Sequence, residues 1–173
     1  MAIKKRTQKL RFWDNGSDVV VGYTANGQPY LLDHSDVEMV GKRSVSVNNC
    51  GYFCVHIGGK SVGIHRLINK TPAKKHTDHI NGDKSDNRRQ NLRTCTRAEN
   101  QQNRRRHKET LCKYKGVRTF QRGNKYGAQI RVSGQLKHLG CYETEGEAAK
   151  AYNKAALYHF GEFASLNNIG GTF

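Results

Sequence analysis

The apolar residues of this chain come in short runs, and most runs are closed by a glycine turn. Runs this short specify several small cores instead of one large one, because a strand of about five residues buries little surface by itself. Val19–Tyr23 and Tyr30–Leu32 are β-rich and are separated by Ala25-Asn26-Gly27; Asn-Gly between two such runs is the strongest short hairpin signal. Ser44–Val47, Tyr52–Ile57 and Ser61–Ile64 repeat the pattern around Gly58-Gly59. Asp36–Val40 and His65–Asn69 read as short helices, the second closed before Pro72, because a residue ahead of proline is pushed out of the helical region. Further on, Tyr114–Thr119, Tyr126–Val132 and Gln135–Tyr142 read as three strands, with Ser133-Gly134 as a tight turn. One longer helical pattern covers Thr144–Phe160, with Ala148, Ala149, Tyr152, Ala156 and Leu157 on one side.

Charge narrows the partners. Lys and Arg outnumber Asp and Glu 30 to 14, a net charge of +16, and that excess calls for a polyanion, of which nucleic acid is the commonest. There is no apolar run long enough to span a bilayer and no strongly amphipathic basic helix, which argues against a membrane. Met1-Ala2-Ile3-Lys4-Lys5-Arg6 is basic without the apolar stretch of a signal peptide, so a cytoplasmic protein is expected. The cysteines Cys50, Cys54, Cys95, Cys112 and Cys141 are odd in number and scattered, and no two form a Cys-x-x-Cys pair. Buried free thiols are expected, with neither a disulfide framework nor zinc.

The chemistry concentrates in Asp78-His79-Ile80-Asn81-Gly82-Asp83-Lys84-Ser85-Asp86-Asn87, followed by Asn91-Leu92-Arg93 and Thr96-Arg97-Ala98-Glu99-Asn100. Phosphodiester hydrolysis needs a base for water and a cation for the charge on the phosphate. His79 has the chemistry of that base, while Asp78 and Asn100 offer the hard oxygens that suit Mg²⁺, with Mn²⁺ as an alternative. Thr96 and Glu99 have the spacing of a capping box, which starts a helix and places Asn100, Asn103 and Arg104 along one face. Asp83 and Asp86 read as turn formers. The aromatics Phe12, Trp13, Tyr52 and Phe53 read as packing residues, and His65 as packing beneath the site. Arg104 and Arg105 open a basic run suited to a phosphate backbone.

This segment resembles the HNH endonucleases, in particular the phage and intron homing enzymes. The Asp-His pair, the Asp86-Asn87-Arg88 turn, Asn91-Leu92-Arg93, Asn100 and Asn103 carry the resemblance, with His65-Arg66-Leu67-Ile68 as a lead-in. It implies a ββα-metal module over residues 74–103, with His79 as general base, Asp78 and Asn100 as metal ligands, and Asn91 orienting His79 by a hydrogen bond to its ring. Asn100 in place of the usual histidine matches the His-Asn-Asn branch, and a neutral second ligand is consistent with nicking one strand.

The last sixty residues resemble the AP2 DNA-binding domain. Tyr114-Lys115-Gly116-Val117-Arg118, Ala128-Gln129-Ile130-Arg131, Leu139-Gly140-Cys141-Tyr142 and Glu147-Ala148-Ala149-Lys150-Ala151-Tyr152-Asn153 carry that likeness. Strand alternation places Tyr126, Ala128, Ile130 and Val132 on the helix and turns Gln129 and Arg131 outward. Arg118, Arg122, Gln129, Arg131 and His138 are therefore candidate DNA contacts.

The expected architecture is α+β. Residues 1–103 form N-terminal hairpins leading into the nuclease module, 104–113 a basic linker, and 114–173 a three-stranded sheet on one helix. The expected function is site-specific, metal-dependent cleavage of double-stranded DNA, by a monomer on an asymmetric site in a bacterial or phage-infected cell. The alternative is a sequence-specific DNA-binding regulator with an inactive nuclease site.

Overall fold

The computed structural model of the protein describes residues 18–41, 43–104, 111–120 and 125–170. Contacts divide the chain into two compact units, Met1–Arg97 and Ala98–Phe173. Phe12, Trp13, Arg105 and Arg122 lie outside the described residues.

The first unit is built from hairpins. β1 (Val19–Tyr23) pairs antiparallel with β2 (Pro29–Asp33), Val21 facing Leu31. Gly27, at φ 78°, takes the left-handed position of the connecting turn, and the Thr24 hydroxyl accepts the Gln28 N–H at 3.0 Å. A 3-10 turn (His34–Asp36) runs into α1 (Val37–Val40). β3 (Val45–Val47), β4 (Phe53–Ile57) and β5 (Lys60–Gly63) form an antiparallel sheet in that order. α2 (Ile64–Ile68) follows directly. β6 (His76–His79) and β7 (Leu92–Cys95) then pair antiparallel across a long loop that ends in the 3-10 turn Arg89–Asn91. Tyr30, Leu32, Val40, Val45, Phe53, Val55, Ile64, Ile68 and Leu92 pack into one core.

That loop is fastened to the first hairpin. The Leu31 N–H donates to the Ser85 carbonyl at 2.8 Å, and the Asn87 N–H to the Leu31 carbonyl at 3.0 Å. Arg89 donates its backbone N–H to Asp33 at 2.7 Å and its guanidinium to the fully buried Asp36. A guanidinium fork on a buried carboxylate is a stiff strap, because both groups lose their partner if the loop moves.

The second unit begins with α3 (Arg97–Gln102), which straddles the division, and continues with β8 (Val117–Thr119), β9 (Tyr126–Val132) and β10 (Gln135–Tyr142), ordered β10-β9-β8. α4 (Glu145–Phe160) starts on a full capping box: the Thr144 hydroxyl accepts the Glu147 N–H and the Glu147 carboxylate accepts the Thr144 N–H, both at 3.2 Å. Its buried stripe is Ala148, Ala149, Tyr152 and Ala156. The alanines bring the helix close to the sheet, where Ala128 and Ile130 meet it. Leu157, expected on that stripe, is 53% exposed. It lies about 100° beyond Ala156 around the helix, past the edge of the buried face. β8 is shorter than expected because Gly116, at φ 74°, turns the chain just before it; a Cβ there would fall 2.0 Å from the Tyr152 ring. Asn167 closes the unit, accepting the Lys115 N–H at 2.6 Å and donating to the Lys115 carbonyl at 3.0 Å.

The fold is thus a mixed one of several small sheets and few helices, compatible with the α+β class. Cys54, Cys95 and Cys112 are buried free thiols, while Cys50 and Cys141 are exposed. Among the described residues no helix is long and apolar enough to cross a membrane.

Candidate active site

The β6–β7 pair sets Asp78 opposite Arg93 and His79 opposite Leu92. Across that rung Arg93 donates Nε at 2.9 Å and Nη2 at 2.7 Å to Oδ2 of Asp78. Both side chains are largely buried, 11% and 7% exposed. His79 is the last residue of β6 and is 4% exposed. Immediately after it the chain leaves the regular strand: Gly82, at φ 70°, closes a turn whose N–H donates to the His79 carbonyl at 2.8 Å. Sequence alternation alone would aim Asp78 and His79 to opposite faces. Both are buried here, Asp78 against Arg93 and His79 against rings from β4's approach and from α2.

The loop after His79 is held by its own polar side chains. Asn91 accepts the Asn81 N–H at 2.9 Å and donates its amide to the Asp86 carbonyl at 2.8 Å, while its backbone carbonyl accepts the Ile80 N–H at 2.9 Å. It therefore fixes the two residues that follow His79. Asp86 is 3% exposed and takes a two-pronged bond from Arg88, with Nε and Nη2 both at 2.7 Å, and a further bond from Asn81 at 3.1 Å. That guanidinium is the main reason the Asp86 carboxyl lies below its ordinary range.

The ring of His79 meets Asn87, with Nε2 3.4 Å from Oδ1. The Asn87 amide nitrogen is occupied by the carbonyls of Lys84 and Ser85, at 3.3 and 3.1 Å. Its oxygen is thereby turned to the ring, so the ring donates through Nε2 and carries its lone pair on Nδ1. Burial pulls the His79 pKa down, opposed by the Asn87 bond and by the carboxylates of Asp78, Asp83 and Asp86. The ring is neutral at neutral pH, which is the state a proton acceptor needs.

Two more rings enclose it. His65, from α2, is 8% exposed and centred 5.2 Å from His79; Tyr52 is centred 4.7 Å from His65 and 6.1 Å from His79. Burial drives the His65 pKa down to about 3 and raises that of Tyr52. Nδ1 of His65 is buried with no hydrogen-bond partner, an arrangement that costs about 1–3 kcal/mol. Lys84 lies with its ammonium 4.5 Å from the centre of the Tyr52 ring and donates to the Cys50 carbonyl at 2.6 Å.

One donor in this region suits a hard divalent cation: Asp78 supplies a carboxylate, whose Oδ2 is already bonded by Arg93, and no thiolate is required. Among the described residues no group of three or more His, Cys, Asp or Glu is arranged as a metal site, so any such ion depends on amide or solvent oxygens for the rest of its shell.

The other expected site residues belong to the second unit. Asn100 is half-buried on α3, Asn103 is 9% exposed just after it, and Arg104 is exposed. On the sheet, Gln129 faces His138 and Arg131 faces Leu136. Arg118, Arg131 and His138 are exposed and Gln129 half-buried, on the face away from α4, as the alternation requires. The Arg118 guanidinium lies 4.8 Å from the centre of Phe120, whose ring stacks 6.3 Å from His138. Lys115 lines a cavity of about 570 Å³ with Gln101, Gln102, Gln129, Arg131 and Tyr152. Its ammonium donates to the Gln102 carbonyl at 2.8 Å, and burial lowers its pKa to about 8.

Sequence reasoning missed Asn87, Arg93, Tyr52 and Lys115. Asn87 and Arg93 had a local signal, since the one sits in the quoted loop and the other two residues after Asn91. Tyr52 reaches His79 only through the tertiary fold and had none.

Comparison with known proteins finds relatives of this segment and of much of the chain. The family profile described as HNH endonuclease matches residues 70–102. An uncharacterised HNH endonuclease of Acanthamoeba polyphaga mimivirus is 34% identical over 137 residues, covering 76% of this chain and 70% of the relative. A second from the same virus is 45% identical over 67 residues, covering 32% of this chain and 17% of that relative. No solved structure gives a significant match.

Proposed function

This chain belongs to the HNH endonuclease family, and on that premise we propose that it is a site-specific, metal-dependent DNA endonuclease of the homing type. The observation that carries the reading is the ring of His79: buried, neutral, and held through Nε2 by Asn87 beside the Asp78–Arg93 pair.

In this reading Nδ1 of His79 takes the proton from a water as that water's oxygen attacks phosphorus and the bond to the leaving oxygen breaks. Asn87 keeps the ring in the tautomer that can do so, and Asn91 keeps the loop after His79 from swinging away. Asp78, and by the resemblance Asn100, would hold one divalent cation, Mg²⁺ with Mn²⁺ as a substitute, which when bound supplies positive charge at the phosphate. Arg93 keeps the Asp78 carboxylate oriented. A neutral Asn100 as second ligand is consistent with cutting one strand per site.

The second unit acts as an AP2-like reader of double-stranded DNA. Gln129, Arg131, Arg118, Arg122 and His138 supply base contacts, and Arg104, with Arg105, supplies phosphate contacts. Asn103 supports Asn100. The protein works as a monomer on an asymmetric target.

The test is cleavage of supercoiled plasmid and source-genome DNA in Mg²⁺, Mn²⁺ or EDTA, with His79→Ala alongside. Cuts at one locus that need the ion and fall by roughly 10²–10⁴-fold in the variant are expected, the usual contribution of a general base. Tight specific binding with no cleavage in either ion would replace this reading with that of a DNA-binding regulator.

A further inference from the structure

We propose that His65 is a positioning residue for His79: an aromatic plate that sets the rotation of the base's ring. The inference rests on the reading of His79 given above and names a second residue that its chemistry requires.

The placement of His65 has no explanation as ordinary polar packing. The side chain is nine-tenths buried, yet Nδ1 has no hydrogen-bond partner. A histidine retained for its hydrogen bonds would spend that nitrogen on a partner. What the ring does contact is other rings. It lies between Tyr52, at 4.7 Å and 31°, and His79, at 5.2 Å and 49°. These separations are those of aromatic side chains packed for shape.

The backbone is cut to fit the plate. A Cβ on Gly63 would fall 2.5 Å from Cε1 and 2.9 Å from Nδ1 of His65, so only glycine leaves the ring room. Gly63 ends β5 and precedes α2, and α2 starts at the fully buried Ile64. His65 is thus pinned at its root by the core and along its edge by Gly63, while its ring lies tilted against that of His79.

The base needs such a plate. Its ring bond to Asn87 is long at 3.4 Å, and a bond of that length restrains rotation about the bond from Cβ to the ring only weakly. Two flanking rings close that freedom. Burial keeps His65 uncharged, so it adds no repelling cation beside His79.

The test compares wild type with His65→Phe and His65→Ala on cleaved DNA, reading kcat and KM separately at neutral pH, with a nitrogen NMR spectrum of the histidine rings in metal-free protein. Phe keeps the plate and removes both nitrogens. The expected result is kcat within about threefold of wild type for His65→Phe, and a fall on the order of tenfold to a hundredfold for His65→Ala at unchanged KM, the scale of a misplaced reacting group. The Nε2–H form of His79 should dominate in wild type and His65→Phe and give way to mixed tautomers in His65→Ala. A folded His65→Phe as impaired as His65→Ala would overturn the proposal, as would a folded His65→Ala with wild-type kcat and an unmixed His79 signal. A wild type that cuts no DNA would instead sink the reading of His79, while the tautomer spectrum would still judge the plate.

Discussion

The two units hold their candidate site side chains in opposite ways. In the first, the candidate base His79 is buried, and the loop that positions it is built from Asn81, Asp83, Asp86, Asn87 and Asn91, each spending side-chain atoms on the backbone or on one another. In the second, the candidate contacts stand exposed on a regular ladder, and the interior beneath them is Ala128, Ala148, Ala149 and Ala156 with a few larger residues. A base that must stay neutral needs a dry setting, and a dry setting makes every polar neighbour a structural member. A face that reads DNA gains from staying wet until its partner arrives, so its side chains carry little of the fold.

The sharpest way to break that contrast is Asp86→Ala. Removing one partner of a buried ion pair costs about 3–5 kcal/mol, and the Arg88 and Asn81 bonds go with it. Urea unfolding should show that loss, and amide exchange should place it in residues 18–97 with α4 unaffected. A loss below about 1 kcal/mol would mean the polar loop carries no more of the fold than the reading face does.

Next in size is an effect of pH. His65 is neutral in the folded protein down to about pH 3, while its unfolded pKa is near 6.5. The unfolded chain therefore binds the extra proton between those values, and stability falls with falling pH by about 1.4 kcal/mol per unit. His79 shifts in the same direction. Lys115, lowered to about 8, works in another window: the unfolded chain binds more protons between about pH 8 and 10.5, so the second unit gains stability as pH rises there. Unfolding of wild type and His65→Phe across pH 4–7 should show the smaller slope in the variant. Equal slopes would mean that His65 titrates alike in both states.

The smallest test concerns the second unit alone. Thr144→Ala removes the cap of α4 and should cost about 1 kcal/mol, read by thermal unfolding, with DNA cleavage at the permissive temperature unchanged. A larger loss that also abolished cleavage would show that α4 contributes more than support for the sheet.

Much of the fold was legible because period and turn chemistry agreed. β1, β9 and β10 fall where alternation and Asn-Gly or Ser-Gly turns put them, and the Asp-His pair with its following asparagines marks the site locally. What escaped was set by tertiary contact. Nothing adjacent to Tyr52 announces a ring over His65, and nothing in Tyr114-Lys115-Gly116 announces an ammonium buried against Tyr152. Thr144 and Glu147 carried a readable capping signature. The part given to Asn91 at the ring is taken by Asn87, because the Asn91 amide is already occupied on both of its ends by the loop.

The bond from Lys115 to the Gln102 carbonyl has a consequence for anyone who would recombine these modules. The family profile ends at residue 102, which invites a cut in the basic stretch that follows. Yet α3 from Ala98 onward belongs by its contacts with the later residues, and its last carbonyl is clasped by a lysine thirteen positions downstream. A graft that carried away the nuclease motif and stopped there would take a helix with a frayed end. The family profile and the division of the chain into compact units end at different residues, 102 and 97.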